Sequence, residues 1–427
     1  MNNKAAVIGL GYVGLPLAIE MSKKYQVIGI DIDKNKVAEL NSGNSYINDV
    51  TDQEVQEAIK RGFFATTEYE ILSTVKYISI CVPTPLRKTK DPDMSYILSA
   101  VKEISKYLQK GQVIVLESTT YPGATEEIIL PCLVKKDMIV GRDFFLAFSP
   151  ERVDPGNKKF RTKNIPKIIG GVTEKCTSEA LAFYSSFLDR VIPVSSARVA
   201  EMVKLLENTF RAVNIGMVNE MAMMCERMGI DIWEVIDAAA TKPFGFMPFY
   251  PGPGIGGHCI PLDPIYLSWK AKSFNFYNRF IDLATDINSN MPRYTVNKLM
   301  EILNSKGIPI LGSKILVLGI AYKRDVNDWR ESPSIEIIKL LIELGAKVSY
   351  FDPYVPQCVV GNEKFSSINL DYSKLQYWDC VLLLTDHSCY DYDIIAKNAR
   401  LIFDTRNAFK KFNNLNIIKL GASYVKK

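Results

Sequence analysis

Gly9-Leu10-Gly11-Tyr12-Val13-Gly14 restricts the fold of this chain more than any other stretch, because of what flanks it. The apolar run Ala5-Ala6-Val7-Ile8-Gly9 suits a buried strand, residues 15–21 read as a helix, and a second strand, 26–30, ends on Asp31. The pattern is GxGxxG between strand and helix, with an acid 22 residues after the first glycine. The glycines allow a tight turn and close approach of backbone N–H groups to a pyrophosphate, and Asp31 would accept hydrogen bonds from adenosine ribose hydroxyls. A chain with this unit is expected to build a doubly wound parallel sheet and to bind a dinucleotide. The acid favours NAD over NADP, whose 2′-phosphate it would repel, while the nearby Lys36 works in the opposite sense.

The alternation of strands and helices continues to about residue 195. Apolar runs at 77–82 and 113–117 end in the polar, proline-bearing loops Pro83-Thr84-Pro85 and Ser118-Thr119-Thr120-Tyr121-Pro122-Gly123. Loops after strand carboxyl ends line the cofactor crevice of such a sheet, which places Thr84 and Thr119 near the dinucleotide or substrate, unless they only shape their turns. Another run, 144–148, leads into Ser149-Pro150-Glu151-Arg152-Val153-Asp154-Pro155-Gly156. From Ala197 to Met228 there is no proline and Gly216 is the one glycine, so the spacing predicts a helix roughly 48 Å long, started by Ser195 or Ser196 and stopped by Gly229. Its apolar residues occupy more than one face, as expected of a helix packed on several sides and at a subunit interface. Lys204 and Asn208, four apart, share a face. Near residue 313 the strand–turn–helix–strand pattern returns and ends on Asp352, but Tyr322-Lys323-Arg324 replaces the glycine loop. A second nucleotide half that meets phosphate through cations would look like this, and Arg406 follows its last strand.

Residues 254–264, Gly-Ile-Gly-Gly-His-Cys-Ile-Pro-Leu-Asp-Pro, set Cys259 behind a glycine-rich approach and four residues before Asp263-Pro264, a helix start. A thiol beside a helix N-terminus is biased toward thiolate, the form that attacks carbonyl carbon. A buried loop cysteine followed by an ordinary capped helix would read the same from this segment alone. With 427 residues, two or three domains are expected. A net charge of +5 with no lysine or arginine block gives nucleic-acid binding no support. No apolar run approaches the roughly 18 residues of a membrane span, and the first strand begins too early to leave a signal peptide, so no membrane insertion is expected. Eight scattered cysteines, no CxxC pair and two histidines make a metal site improbable and fit a reducing, cytoplasmic setting.

GLGYVGLPLA (9–18), CVPTP (81–85), ESTTYPG (117–123), SPERV (149–153), KLLENTFRAVN (204–214), PGPGIGGHCIPLDP (251–264) and AYKRDVNDWRESPS (321–334) stand in an order that resembles the UDP-sugar/GDP-sugar 6-dehydrogenases over essentially the whole chain. These are NAD-dependent four-electron oxidoreductases. The resemblance implies an α/β fold of two Rossmann-like doubly wound domains joined by a long central helix. It implies an NAD domain at 1–195, a central helical domain with the catalytic loop and dimer contacts at 196–300, and a UDP-sugar domain at 301–427.

By the same resemblance Cys259 is the nucleophile. The C6 alcohol loses hydride to give an aldehyde, the thiolate adds to form a thiohemiacetal, a second hydride leaves a thioester, and water releases the acid. Lys204 would stabilise the oxyanions, Asp263, Thr119 and Glu151 would position water and move protons, and Asn208 would hold substrate or an ordered water. Gly9, Gly11, Tyr12, Val13, Gly14, Asp31, Lys36, Thr84, Thr119 and Arg330 would contact NAD. Glu151, Arg152, Val153, Lys204, Asn208, Arg211, Gly256, Lys323 and Arg406 would contact the sugar nucleotide. Lys36 stands where this family often has Arg, and His258 is taken as a loop residue of the amino-sugar branch, not a metal ligand. Residues 241–250, with Phe244, Phe246 and Phe249, resemble the branch that oxidises UDP-N-acetylglucosamine; UDP-glucose and UDP-N-acetylmannosamine are the alternatives. A homodimer is expected. A two-electron hydroxyacid or phosphogluconate-type dehydrogenase would share the first domain and long helix without the thiol, and a binding protein would not need Cys259, Lys204 and Asp263 together. Two NADH per sugar, one, or none separates the three classes.

Overall fold

The computed structural model describes residues 3–47, 49–87, 89, 91–134, 138–153, 162–257 and 259–422. His258 and the Asp154–Gly156 end of the SPERVDPG stretch lie outside them. The chain divides into two compact units, Met1–Glu207 with Ile265–Phe276, and Asn208–Pro264 with Tyr277–Lys427.

The first unit is built on β1 (Lys4–Ile8), β2 (Gln26–Ile30), β3 (Phe64–Thr66), β4 (Tyr77–Ile80), β5 (Val113–Leu116), β6 (Phe145–Phe148), β7 (Lys167–Gly171) and β8 (Val191–Pro193). They form one sheet in the order β3-β2-β1-β4-β5-β6-β7-β8. Every pairing is parallel except β6 with β7. Both faces of a parallel sheet are covered, so its strands are apolar at consecutive positions. Ala5 and Val7 of β1 enter one core with Leu17, Val115 and Phe183, and Ala6 and Ile8 enter the opposite core with Ile80, Ile97 and Phe148. Because β1 lies between β2 and β4, the winding reverses there, and a crevice opens at the carboxyl ends of these strands.

The helix Ala197–Met228 has the predicted bounds. Ser196 Oγ accepts from the Val199 N–H at 3.3 Å, and Gly229 ends the helix at φ 76°, with the Ile230 N–H closing onto the Cys225 carbonyl at 2.9 Å. Glu201, fully buried on this helix, accepts from the Gly123 N–H (2.6 Å), the Thr125 N–H (2.9 Å) and the Thr125 hydroxyl (2.7 Å), and so fixes the loop that follows β5.

The second unit repeats the plan with β9 (Lys314–Leu318), β10 (Lys347–Phe351), β13 (Cys380–Leu383), β14 (Ile402–Asp404) and β15 (Ile417–Lys419), all parallel in the order β10-β9-β13-β14-β15, and adds a hairpin of β11 (Gln357–Val360) and β12 (Glu363–Ser366). Its helix Pro333–Glu343 starts with proline behind a Ser332 cap and stops before Gly345 at φ 82°. The fold is thus α/β with two doubly wound sheets and a long helix running from the first unit into the second. Among the described residues, no helix is long and apolar enough to cross a membrane.

Candidate functional site

In the first unit the three glycines do different work. Gly9 has φ 88°, and a Cβ there would lie 2.6 Å from the Cys81 carbonyl oxygen. A Cβ on Gly14 would strike the Gly9 carbonyl, so the helix Gly14–Ser22 packs backbone against backbone. A Cβ on Gly11 would meet no atom within 4 Å, which leaves an open approach to the turn. Those are the three roles a pyrophosphate-binding turn asks of its glycines, and the residues fit NAD. Asp31 is buried, and its carboxylate accepts from the Leu10 N–H (2.9 Å) and the Asp33 N–H (3.0 Å). Lys36 lies 4.0 Å from that carboxylate and over the Tyr46 ring, whose hydroxyl donates to the Leu10 carbonyl at 2.5 Å. Tyr12 is exposed, Val13 half-buried.

The carboxyl ends of β5 and β6 carry a charged group. Lys204 donates to the Glu151 carbonyl at 2.7 Å. The Glu151 carboxylate accepts from the Arg152 and Val153 N–H groups, each at 2.8 Å, and from Lys167 at 3.1 Å. Lys167 also donates to Glu117, which takes a further hydrogen bond from the Tyr184 hydroxyl. Desolvation and the other carboxylate raise Glu117, whereas for Glu151 the Lys167 charge and two backbone N–H groups outweigh desolvation and hold it below the usual carboxylate range. Arg152 is engaged by Glu207 (2.6 Å) and the Pro166 carbonyl (2.6 Å). The Thr84 carbonyl accepts from the Tyr266 hydroxyl at 2.7 Å, and Thr119 is half-buried in the loop held by Glu201.

In the second unit Asp263 is the first residue of the helix Asp263–Lys272, and its carboxylate accepts from the Asn208 side-chain amide at 2.5 Å. Both are buried. Cys259 is exposed, and its carbonyl accepts from the Leu262 (3.1 Å) and Asp263 (2.9 Å) N–H groups, so it sits on the turn that opens the helix. The approach is shaped by glycine. Gly254 has φ 140° and Gly257 φ 90°. A Cβ at Gly256 would lie 2.8 Å from Tyr322 and 2.9 Å from the Glu331 carbonyl oxygen, and one at Gly252 would lie 2.7 Å from the Arg406 guanidinium. The glycines thus bring the cysteine loop onto the 322–333 segment and Arg406. Arg406 donates to the Leu384 carbonyl at 2.8 Å; Arg330 is exposed and bidentate on Asp328; Lys323 is half-buried; Arg211 is exposed. Of the three phenylalanines near 244, Phe244 and Phe246 are exposed, while Phe249 packs edge-on against Phe210 at 5.6 Å.

Lys167, Glu117, Tyr184, Tyr46, Glu201 and Glu207 were not assigned from sequence. Glu117, which closes the apolar run 113–117, and Glu207, inside KLLENTFRAVN, stand within motif segments; the others act through tertiary contact. Among the described residues, no group of three or more His, Cys, Asp or Glu side chains is arranged to hold a metal ion.

Three models of one family match the chain in order: the NAD binding domain (residues 3–188), the central domain (198–290) and the UDP binding domain (316–411) of the UDP-glucose/GDP-mannose dehydrogenase family. A UDP-N-acetyl-D-glucosamine 6-dehydrogenase of Salmonella typhi is 37% identical over 90% of this chain and 90% of its own. One of Pseudomonas aeruginosa is 36% identical over 98% and 94%. A solved UDP-D-ManNAc dehydrogenase of Pyrococcus horikoshii superposes with a TM-score of 0.89 at 33% identity, over 99% of this chain and all of its own.

The glycine geometry predicts opposite outcomes for two like substitutions. Gly11→Ala should leave the melting temperature unchanged and weaken NAD binding by roughly tenfold or more, since the methyl enters only the ligand's approach. Gly14→Ala should destabilise the unit by about 1–3 kcal/mol, because backbone must move. Thermal melts with NAD titration on both variants check this; equal effects would contradict it.

Proposed function

Because the chain belongs to the UDP-glucose/GDP-mannose dehydrogenase family, we propose that it oxidises the C6 alcohol of UDP-N-acetylglucosamine to the uronic acid, with NAD as cofactor. Residues 1–195 hold NAD, 196–300 supply the catalytic loop and a dimer face, and 301–427 hold the nucleotide of the substrate. When bound, NAD supplies a hydride acceptor. The residues of the first unit fitted to hold it are Gly9, Gly11, Tyr12, Val13, Gly14, Asp31, Lys36, Thr84 and Thr119.

The observation that carries the reading is Cys259, an exposed thiol on the opening turn of a helix, followed by Asp263 held by Asn208. An aldehyde cannot give up a second hydride until a nucleophile has made its carbon tetrahedral. The Cys259 thiolate adds to that carbon, and departure of hydride leaves a thioester. Asp263 accepts a proton from the water that hydrolyses it, and its hydrogen bond from Asn208 keeps the carboxylate aimed. Lys204, a cation on a rigid helix, offsets oxyanion charge. Glu151 and Thr119 order water, and Arg152, Val153, Arg211, Gly256, Lys323 and Arg406 contact the sugar nucleotide. Cys259→Ser should abolish formation of the acid while NAD and UDP-sugar still bind. The wild type should release two NADH per sugar, counted at 340 nm against the uronic acid formed; one NADH per sugar would refute the thioester route.

Support for the N-acetylglucosamine substrate comes from two relatives of that printed activity and from the exposed ring of Phe244, an apolar surface of the kind an N-acetyl methyl would pack on. The Pyrococcus relative favours the N-acetylmannosamine epimer as the second reading. Competing the two epimers and UDP-glucose should give the highest kcat/KM with UDP-N-acetylglucosamine, and a higher value for either rival overturns the assignment.

We further propose a homodimer built on the long helix. Val199, Met202, Leu206, Phe210, Met217, Met221, Met224 and Met228 recur every three to four residues or at whole turns, and all are exposed, Leu206 at 57%. One apolar stripe of that length on a soluble surface marks an interface. Light scattering at micromolar concentration should give twice 48.1 kDa, and Leu206→Glu should shift it toward the single chain; a wild-type monomer refutes it.

A further inference from the structure

We propose that Lys167, which no motif above contains, is a positioning residue that acts with Glu117 to hold Glu151 as a fixed hydrogen-bond acceptor at the carboxyl edge of the first sheet. The inference rests on the reading that Glu151 serves the oxidation.

Its cause lies in sheet topology. In β5 and β6 the carboxyl ends point to one edge, and a parallel neighbour would bring only its own carboxyl end there. β7 runs antiparallel to β6, with Phe148 opposite Gly170. Extending that register by three residues sets Glu151 opposite Lys167, the first residue of β7. The reversed strand therefore delivers an ammonium group to an edge where Glu117 and Glu151 already sit.

Lys167 is buried between two carboxylates, and two anions share one cation. The partners are unequal. Glu117 is fully buried and takes Lys167 on one oxygen and the Tyr184 hydroxyl on the other, with Ser79 3.0 Å from that hydroxyl. Glu151 is partly open and takes Lys167 on one oxygen and two backbone N–H groups on the other. Among the described residues, the other groups facing the cluster are the buried Cys81 thiol, which burial raises, and Lys204, which grips the Glu151 carbonyl; Arg152 is neutralised by Glu207. Lys167 stays protonated, since its two carboxylates outweigh its desolvation. Environments of this kind push the two acids apart, Glu117 up and Glu151 down. A lowered carboxyl is a poor proton store and a good permanent acceptor, suited to orienting water.

The test is a carboxyl 13C NMR titration, with the Glu151 resonance assigned by its loss in Glu151→Gln. In the wild type its midpoint should lie below the ordinary glutamate value of about 4.3, and Lys167→Arg should keep it there. Lys167→Met combined with Glu117→Gln removes both buried charges, leaving no unpaired ion, and should raise the midpoint by about one pH unit or more. The acid limb of the kcat profile should move up by the same amount with KM for the sugar nucleotide unchanged. A wild-type midpoint at or above about 4.3, readable even if the double variant does not fold, overturns the proposal, as does an unshifted midpoint in a folded double variant. Full kcat in Glu151→Gln would instead overturn the role of Glu151 and leave the titration standing.

Discussion

Both units close on the same interaction, a buried carboxylate at the end of the second strand that accepts the N–H groups of the turn after the first. In the first unit Asp31 takes the Leu10 N–H at 2.9 Å, and in the second Asp352 takes the Ile320 and Ala321 N–H groups at 2.8 and 3.0 Å. A strand-to-helix turn at the switch point of a parallel sheet exposes N–H groups that no ladder partner can satisfy, and leaving them buried and unpaired would cost about 1–3 kcal/mol each. The carboxylate meets that demand and ties neighbouring strands at the edge where ligands bind. Everything assembled there, including the glycine turn, the loop hung on Glu201 and the Lys167 cluster, presupposes that the two strands end in register.

Much of the fold was legible because its determinants are local. Strands buried on both faces read as unbroken apolar runs, the glycine turn carries its own spacing, and a 32-residue stretch with no proline can be seen without tertiary information. The misses have physical reasons. The helix Arg279–Asn304 contains Pro292, which by local rules should end it, yet packing of Met291, Val296 and Leu299 in the second core carries it through. The reversal of β7 leaves no trace in a strand of Lys-Ile-Ile-Gly-Gly, because period and apolarity are the same in either direction. Of the proposed catalytic residues, Cys259 and Asp263 stand out in the sequence because helix start and thiol are adjacent. The acceptor for Lys204 is a backbone carbonyl and the partner of Arg152 is Glu207, and neither follows from spacing.

The shared interaction also separates the two halves. Asp31 receives one backbone N–H on each oxygen, fewer donors than its lone pairs can take. Asp352 receives the Ile320 and Ala321 N–H groups and the His387 ring on one oxygen, and the Tyr354 and Val355 N–H groups on the other. The Asp325 N–H donates to His387 Nδ1 at 2.9 Å, so the proton that reaches Asp352 sits on Nε2. A carboxylate has about four lone-pair sites, and five donors fill them. The acid that keeps open lone pairs in the first unit is therefore spent on structure in the second. Under the proposed function, the nucleotide of the substrate would meet cations there, Lys323 in the turn that replaces the glycine loop and Arg406 after β14, and cations suit a diphosphate where a carboxylate suits a sugar hydroxyl. The same topology thus fills one buried aspartate and leaves the other with acceptor capacity, decided by how many donors each must satisfy.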